Sequence, residues 1–248
     1  MKAYRIATLA RHNLLLRRRD PGQLVSYLIM PMVLMPVFKP IYERAIPGGA
    51  TQIATGLLIM FSVLALSIVG NSTLTERSWH TWDRLRSTPA TTPELLLGKA
   101  LPVYAVLLFQ QFTLLFFAAA VIGVHPAGPL WLLAVSVAVW GAVLLAVGTA
   151  LATVVRSHGE LSVLSDLGAL LVTTLGGALV PLSLFPAWLR PLAPLSPGYW
   201  GLKMLRSALR GDLTATLLPA AVLLAIGLAA ALLAGWRLSR GWGRATLL

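Results

Sequence analysis

Residues 129–154 read PLWLLAVSVAVWGAVLLAVGTALATV, a run without one charged side chain. An α-helix rises about 1.5 Å per residue, so roughly 20 apolar residues suffice to cross the hydrocarbon core of a bilayer. This run therefore predicts a membrane-spanning helix. Whether the rest of the chain contains further runs of this kind decides the fold class.

Five further apolar runs are long enough to span a bilayer. Pro31 and Pro36 interrupt the first of them, and prolines are tolerated in spanning helices where neighbouring groups satisfy the freed carbonyls. With no linker or internal repeat, residues 1–248 are interpreted as one all-α polytopic transmembrane domain of six spans. The five further runs are residues 22–42, 52–71, 95–123, 162–185 and 214–236.

The composition excludes most soluble functions. Hydrophobic residues make up 57% of the 248 residues and charged residues only 11%, whereas soluble domains carry about 25% charged residues. A soluble globule of this size cannot bury so much apolar surface. Because the chain has no cysteine, disulfide scaffolds, thiolate nucleophiles and cysteine metal sites are excluded as well.

The net charge of +12 is interpreted as a sign of orientation in the membrane. The basic residues lie between the apolar runs and form no continuous stripe, which argues against a nucleic-acid partner. With the N-terminus inside, 14 of the 20 lysines and arginines fall in inner segments, so both termini are predicted to be cytoplasmic. The excess of arginine over lysine is typical of a high-GC bacterial genome, which makes the bacterial inner membrane the expected location.

The N-terminal segment, residues 1–21, mixes apolar residues such as Tyr4 and Leu9 with basic residues and ends at Asp20-Pro21. This pattern predicts an amphipathic helix that lies on the inner membrane surface before the first span. A solvated tail is the alternative interpretation.

Recognisable catalytic motifs are lacking in the sequence. The four histidines form no pair at metal-ligand spacing, and Asp166 is the one clear carboxylate within the predicted spans. Gly98-Lys99 resembles the end of a phosphate-binding loop, but Pro93 and Ala100 replace the glycine and the Ser or Thr that such a loop needs. We therefore expect no enzymatic activity, no metal and no cofactor in this chain.

The inner loop between the second and third predicted spans carries two tryptophans. On a helix over residues 76–87, Trp79, Trp82 and either Leu85 or Arg86 fall on one face at the three/four spacing. Amphipathic aromatic side chains anchor protein interfaces, so this face is typical of a docking element. An aromatic belt at the membrane surface is the alternative.

Two motifs in the sequence resemble ABC-2 type ABC-transporter permeases, the drug-exporter-like transmembrane subunits of that class. The first motif consists of Glu76-Arg77, Thr81, Leu85-Arg86-Ser87-Thr88-Pro89 and Glu94-Leu95-Leu96-Leu97-Gly98-Lys99. The second consists of Gly176-Gly177-Ala178-Leu179, Pro181, Phe185-Pro186, Trp188-Leu189, Leu192-Ala193, Leu195, Pro197 and Ala208-Leu209-Arg210. His80 departs from the glycine that is common in the family.

The resemblance implies a permease that pairs with a second copy or a homologous permease and sits on two separate ABC ATPase subunits. ATP and Mg²⁺ would be bound by that ATPase, and residues 71–94 would form the cytoplasmic coupling loop. A second contact is expected at Arg156 and Glu160, for which a basic anchor and a helix cap are the alternative roles. The residues expected to couple to the ATPase are Glu76, Arg77, Trp79, Trp82, Asp83, Leu85 and Arg86.

Residues 186–213, between the fifth and sixth predicted spans, are expected to form short extracellular helices, re-entrant or interfacial. The basic face of this segment could attract anionic headgroups or amphipathic cargo, and a solvated basic face is the alternative. The apolar face and the opposite basic face are formed by Leu202, Leu205 and Leu209 and by Lys203, Arg206 and Arg210.

A transport path is predicted from side chains within the spans. Asp166 is costly deep in a bilayer, which favours a functional role, although wetting from the cytoplasm or pairing with Arg156 is the alternative. Met30 and Met35 offer an adaptable lining for apolar cargo, with core packing as the alternative.

A hydrophobic drug- or lipid-like molecule, moved outward from the cytoplasm or the inner leaflet, is the expected cargo. A polysaccharide or lipid-linked glycan is the competing choice. Two other classes of protein remain as alternatives, a membrane-embedded enzyme and an ion-driven secondary transporter. The first would need an acid dyad or paired histidines, and the second would carry plentiful intramembrane charges.

Overall fold

The computed structural model describes residues 22–78 and 92–239, and all the secondary structure in these ranges is helical. The predicted interfacial helix over residues 1–21 lies outside the described residues. The π-helical turn Ala118–Ile122 continues the fourth helix, and 3-10 turns cover Leu182–Leu184 and Arg190–Leu195. The α-helices are α1 (Gly22–Ala45), α2 (Gly49–Leu64), α3 (Leu66–Ser78), α4 (Thr92–Phe117), α5 (Leu130–Val154), α6 (His158–Leu175), α7 (Pro197–Arg210) and α8 (Leu213–Ser239).

Five stretches within the described residues are long and apolar enough to cross a membrane. They coincide with five of the six predicted spans, which confirms an all-α chain with several spans. The count of six is not confirmed, because the fifth predicted span corresponds to α6, a helix of only 18 residues that carries Glu160 and Asp166. The five stretches are Gly22–Ala45, Gly49–Leu74, Ala100–Ile122, Leu130–Val154 and Leu213–Leu238.

Helix α6 ends at Leu175, well before the predicted boundary at residue 185. Gly177 adopts a φ of 75°, a left-handed conformation that glycine tolerates without steric cost. The backbone N–H of Ala178 then donates to the carbonyl of Thr173 at 2.9 Å, which closes the helix end. The glycine pair, which lengthened the apolar run in the sequence, therefore marks the end of the helix. The turn that follows contacts α2, where Ala178 lies against Gly56.

Helix α2 forms the centre of the bundle, where α1, α4, α6 and α7 all pack against it. Gly56 permits the closest of these approaches, because a Cβ atom at this position would overlap the carbonyl oxygen of Ala178 in the turn after α6. From α5, Trp140 donates its Nε1 hydrogen to the Ser62 hydroxyl at 2.8 Å. Small residues and buried hydrogen bonds thus hold the central helix.

The span Gly49–Leu74 contains a break at Ala65, between α2 and α3. The carbonyl of Phe61 accepts the N–H of Ala65 at 3.1 Å and the Nε2 of Gln110 at 3.1 Å. A side chain from α4 therefore supports the backbone where the helical ladder is interrupted.

Helix α7 lies in the segment predicted to hold the outer helices. The Ser196 hydroxyl accepts the N–H of Gly198 at 3.1 Å, and Pro197 occupies the first helical position. Gly211, with a φ of 78°, ends the helix, and it approaches Gly128 so closely that a Cβ on either would clash with the other. The leucines of the predicted apolar face are all buried against the bundle: Leu202, Leu205 and Leu209.

Candidate functional site

The predicted coupling loop, residues 71–94, is described only at its two ends. Both ends are helical, since α3 continues to Ser78 and α4 begins at Thr92. Glu76 and Arg77 lie in the last turn of α3. The other expected contact residues lie outside the described residues: Trp79, Trp82, Asp83, Leu85 and Arg86. A coupling role for this segment therefore stays a prediction.

Arg156 and Glu160 meet at the start of α6. The carboxylate of Glu160 accepts the backbone N–H of Arg156 at 2.7 Å, while the Ser157 hydroxyl accepts the N–H of Glu160 at 3.1 Å. This is a variant of the capping box, so the helix-cap role of Glu160 is confirmed. His158 Nδ1 lies 2.9 Å from Oδ1 of Asn71 and joins α6 to α3. A contact of this pair with an ATPase stays a prediction.

Asp166 is the ninth of the 18 residues of α6, and its side chain is exposed. Val163, Leu167 and Leu170, each more than half exposed, lie on the same apolar face. Among the side chains that the structure describes, Asp166 forms no ion pair with Arg156, and the ion pair found there joins Lys39 to Glu43 within α1. The face of α6 around Asp166 is therefore an apolar surface with one uncompensated negative charge.

Met30 and Met35 of α1 have different environments. Met35 is fully buried in the core, whereas 57% of Met30 is exposed. The structure therefore assigns Met35 to core packing and does not bring the two methionines together in one lining.

The structure corrects the prediction of one continuous basic face on α7. Lys203 and Arg210 are exposed, whereas Arg206 turns inward to α2. The Nε of Arg206 donates to Oγ1 of Thr55 at 3.1 Å, and its Nη2 donates to Oε1 of Gln52 at 2.5 Å. Helical spacing within α7 could not reveal this, because the two buried acceptors belong to a helix about 150 residues earlier in the chain.

Gln52 connects three parts of the structure through this network. Its Nε2 donates to the carbonyls of Gly177 and Ala178 at 2.9 and 3.0 Å, while its Oε1 accepts from Arg206. Burial, and secondly the nearby charge of Arg210, lower the pKa of Arg206 to about 10, so its guanidinium remains cationic at neutral pH. The network therefore holds the charged guanidinium of Arg206 against the N-terminal end of α2.

An apolar cavity of about 390 Å³ adjoins this network. Its walls are α2, the end of α4 with the π-helical turn, the start of α5 and one residue of α7. Phe116 and Leu130 on its rim are 75% and 70% exposed, so the cavity opens on the exposed side of the helix bundle. Its volume falls in the range of about 300–1,000 Å³ that is typical of ligand pockets. Its lining includes Ala54, Thr55, Ala119, Leu133, Ala134 and Leu209.

Two buried glutamines of α4 were missed by reasoning from hydropathy. The Nε2 of Gln110 donates to the carbonyls of Phe61 and Tyr27, and that of Gln111 donates to the carbonyl of Leu107. Both side chains are fully buried, and their Oε1 atoms accept no hydrogen bond from the described residues. The signal that could have found them is a Gln-Gln pair inside an apolar run, because such polar groups bond across helices in membranes.

Across the two described ranges, no group of three His, Asp or Glu side chains is placed to hold a metal ion. The site consists of one inward-facing cation, buried amide and hydroxyl groups, and an apolar cavity. These groups can bind and orient an amphipathic molecule.

Comparison with known proteins identifies the family of the chain. The family model described as ABC-2 type transporter matches residues 4–209. No curated protein matches the chain. Because the family match covers most of the chain and the described part contains five candidate spans, the chain belongs to the ABC-2 type transporter family as a multi-pass transmembrane permease component.

Proposed function

We propose that this permease is the membrane-spanning subunit of an ATP-driven exporter that moves a hydrophobic drug- or lipid-like substrate outward. Two permeases, identical or homologous, stand side by side, and a separate pair of ABC ATPase subunits binds ATP and Mg²⁺. Helix α6 serves as a short sixth span, which puts both termini on the cytoplasmic side of a bacterial inner membrane. The family membership supports the permease role.

The exposed carboxylate of Asp166 is the observation that carries the pairing of two permeases. An 18-residue helix rises about 27 Å, so the middle of α6 lies near the middle of the bilayer. A carboxylate facing lipid at that depth costs about 3 kcal/mol even on the mildest scales. A second permease against this face, with a water-accessible path between the two, removes this cost and gives the carboxylate a place on the substrate route.

The apolar cavity supports the substrate class. Its lining consists mainly of aliphatic and aromatic side chains, with Thr55 as a polar member. A glycan would leave its hydroxyl groups unpaired against such a surface, and unpaired buried polar groups are costly. A hydrophobic or lipid-like molecule therefore fits this permease better than a polysaccharide does.

Helix α3 supports the proposed coupling. It runs without interruption from the break at Ala65 to Ser78, where the predicted coupling loop continues, and it packs against α5 and α6. The contact between His158 and Asn71 ties it to the start of α6. A displacement of the loop by the ATPase would therefore move α3 and α6 together.

Replacing Trp82 and Arg86 together by alanine tests the coupling. Transport in proteoliposomes that contain the ATPase should fall at least about tenfold, while ATP hydrolysis continues, because the loop loses its aromatic anchor and its charge-assisted contacts. Trp131→Ala, at an exposed tryptophan of α5, is the control and should leave transport unchanged. Wild-type transport by the double variant contradicts the assignment of the loop.

Asp166→Leu tests the path. If the carboxylate lines a route between two permeases, transport should fall at least about tenfold while the unfolding temperature stays unchanged, because a carboxylate in a water-accessible path does not carry the cost of facing lipid. Val163→Leu, on the same face, is the matched control and should transport normally. Normal transport by Asp166→Leu, with raised stability, would place Asp166 against lipid and remove the case for a path along this face.

A further inference from the structure

The cavity and Arg206 meet at one residue. Thr55 lines the cavity, and its hydroxyl accepts a hydrogen bond from Arg206 at 3.1 Å. Leu209, which follows Arg206 by one helical turn on α7, lines the same cavity. A cation and an apolar chamber therefore form two halves of one site.

Arg206 retains unused hydrogen-bonding capacity. A guanidinium has five N–H donors, and the two described bonds from Arg206 end on neutral oxygens, those of Thr55 and Gln52. Its third nitrogen, Nη1, makes neither of these bonds and is not among the described buried polar atoms that lack a partner, so Nη1 is accessible. A half-buried cation with neutral partners gains most from an oxyanion, to which it can donate two parallel bonds.

The cavity opens on the exposed faces of candidate spans. Phe112 and Phe116 belong to α4, Leu130 begins α5, and all three are exposed on the outer surface of helices that are candidate spans. A cavity open on such faces is accessible from the bilayer, and its mainly apolar lining fits an occupant with an apolar part.

We propose that this site binds an anionic amphiphile, with a carboxylate or phosphate head on Arg206 and an acyl chain in the cavity between α2, α4 and α5. Such binding needs no ATP and no second permease, so it goes beyond the proposed export function and can be tested apart from it. A bilayer phospholipid and a free fatty acid share this chemistry.

Binding of palmitate and of hexadecanol to the purified full-length chain in a neutral detergent tests the head group, with displacement of the fluorescent fatty acid cis-parinarate as the readout. Palmitate should bind at least about tenfold more tightly than hexadecanol, because only palmitate carries the anion. Arg206→Gln should abolish that difference. Arg210→Gln, one turn away and exposed, is the matched control and should change palmitate binding less than about twofold. Equal losses in the two variants would indicate diffuse surface attraction and overturn the proposal.

Ala134→Leu tests the binding of the acyl chain, and it keeps the proposal testable if Arg206→Gln does not fold. The larger side chain narrows the cavity, while the hydrogen-bonded residues Arg206, Gln52 and Thr55 are not substituted. Palmitate affinity should fall at least about tenfold with an unchanged unfolding temperature, and unchanged palmitate affinity would overturn the proposal.

Native mass spectrometry of the protein from phosphatidylglycerol or phosphatidylcholine nanodiscs distinguishes the two sources of ligand. Selective retention of phosphatidylglycerol, lost in Arg206→Gln and in Ala134→Leu, identifies a bilayer phospholipid. Palmitate binding without such retention identifies a free fatty acid. Absence of both phosphatidylglycerol retention and palmitate binding refutes the site, whatever the result of the transport assays.

Discussion

The spans Gly49–Leu74 and Leu213–Leu238 have equal length, and their most apolar 18-residue stretches have similar mean hydropathy, 2.3 and 2.5. Yet 89% of the residues in the first stretch are buried inside the bundle and only 22% of those in the second. Lipid tails are as apolar as leucine side chains, so hydropathy drives insertion into the bilayer but does not decide which helix lies at the centre. Close packing and hydrogen bonds between helices decide that.

The two spans differ in the side chains that make such packing possible. The first carries Gly56 at a close backbone approach, together with buried Gln52, Thr55 and Ser62, all of which make hydrogen bonds. The second presents a column of exposed leucines at four-residue spacing: Leu224, Leu228 and Leu232. Small and polar residues therefore distinguish the central span from the peripheral one.

The largest effect should come from Gly56→Ala. The added methyl group would overlap the Ala178 carbonyl, a backbone atom that cannot move aside cheaply, so we expect a loss of about 3 kcal/mol, the upper range for overpacking. For a chain of this length that corresponds to roughly 6–12 °C in unfolding temperature, measured in detergent by circular dichroism.

Gly235→Ala in the peripheral span is the control for that prediction. No atom lies within 4 Å of the position that its Cβ would occupy, so the unfolding temperature should stay the same or rise slightly. Equal destabilisation by the two substitutions would contradict the distinction between a central and a peripheral span.

A smaller effect is expected from Trp140→Phe, which removes the hydrogen bond to Ser62 at the centre of the bundle. We expect a loss of about 2 kcal/mol in the free energy of unfolding, from the lost bond and from the smaller ring. Trp131→Phe, on the same helix but 56% exposed, should change it by less than about 0.5 kcal/mol. If the two variants have the same free energy of unfolding, the hydrogen bond from Trp140 to Ser62 does not contribute to the stability of the bundle.

Helix α6 shows where prediction from the sequence succeeded and where it failed. Ser157 and Glu160 are close in sequence, so the capping of the helix start could be predicted from local spacing. The end at Leu175 was missed, because Gly176 and Gly177 count as neutral in an apolar run, while the left-handed conformation of Gly177 ends the helix. The cap at the start of α6 follows from local spacing, whereas the conformation of Gly177 does not.

The two charged residues Asp166 and Arg206 differ in the same way. The sequence alone indicated that Asp166 stands out among apolar residues, because a charge in a span is visible without any partner. It could not indicate that Arg206 leaves the basic face of α7, because its acceptors Gln52 and Thr55 lie on α2. Contacts between distant parts of a chain have no periodicity that a sequence pattern can reveal.

The sequence by itself determined that this chain is a multi-span helical membrane protein, and its motifs indicated the permease family, because hydropathy and short motifs are properties of neighbouring residues. Only the tertiary structure decided that α2 is the central helix, that Met35 packs in the core, and that Arg206 adjoins an apolar cavity. The physical reason is that association of helices within a bilayer depends on matched surfaces and hydrogen bonds between distant segments. Apolar character, which governs insertion, is the same for central and peripheral helices.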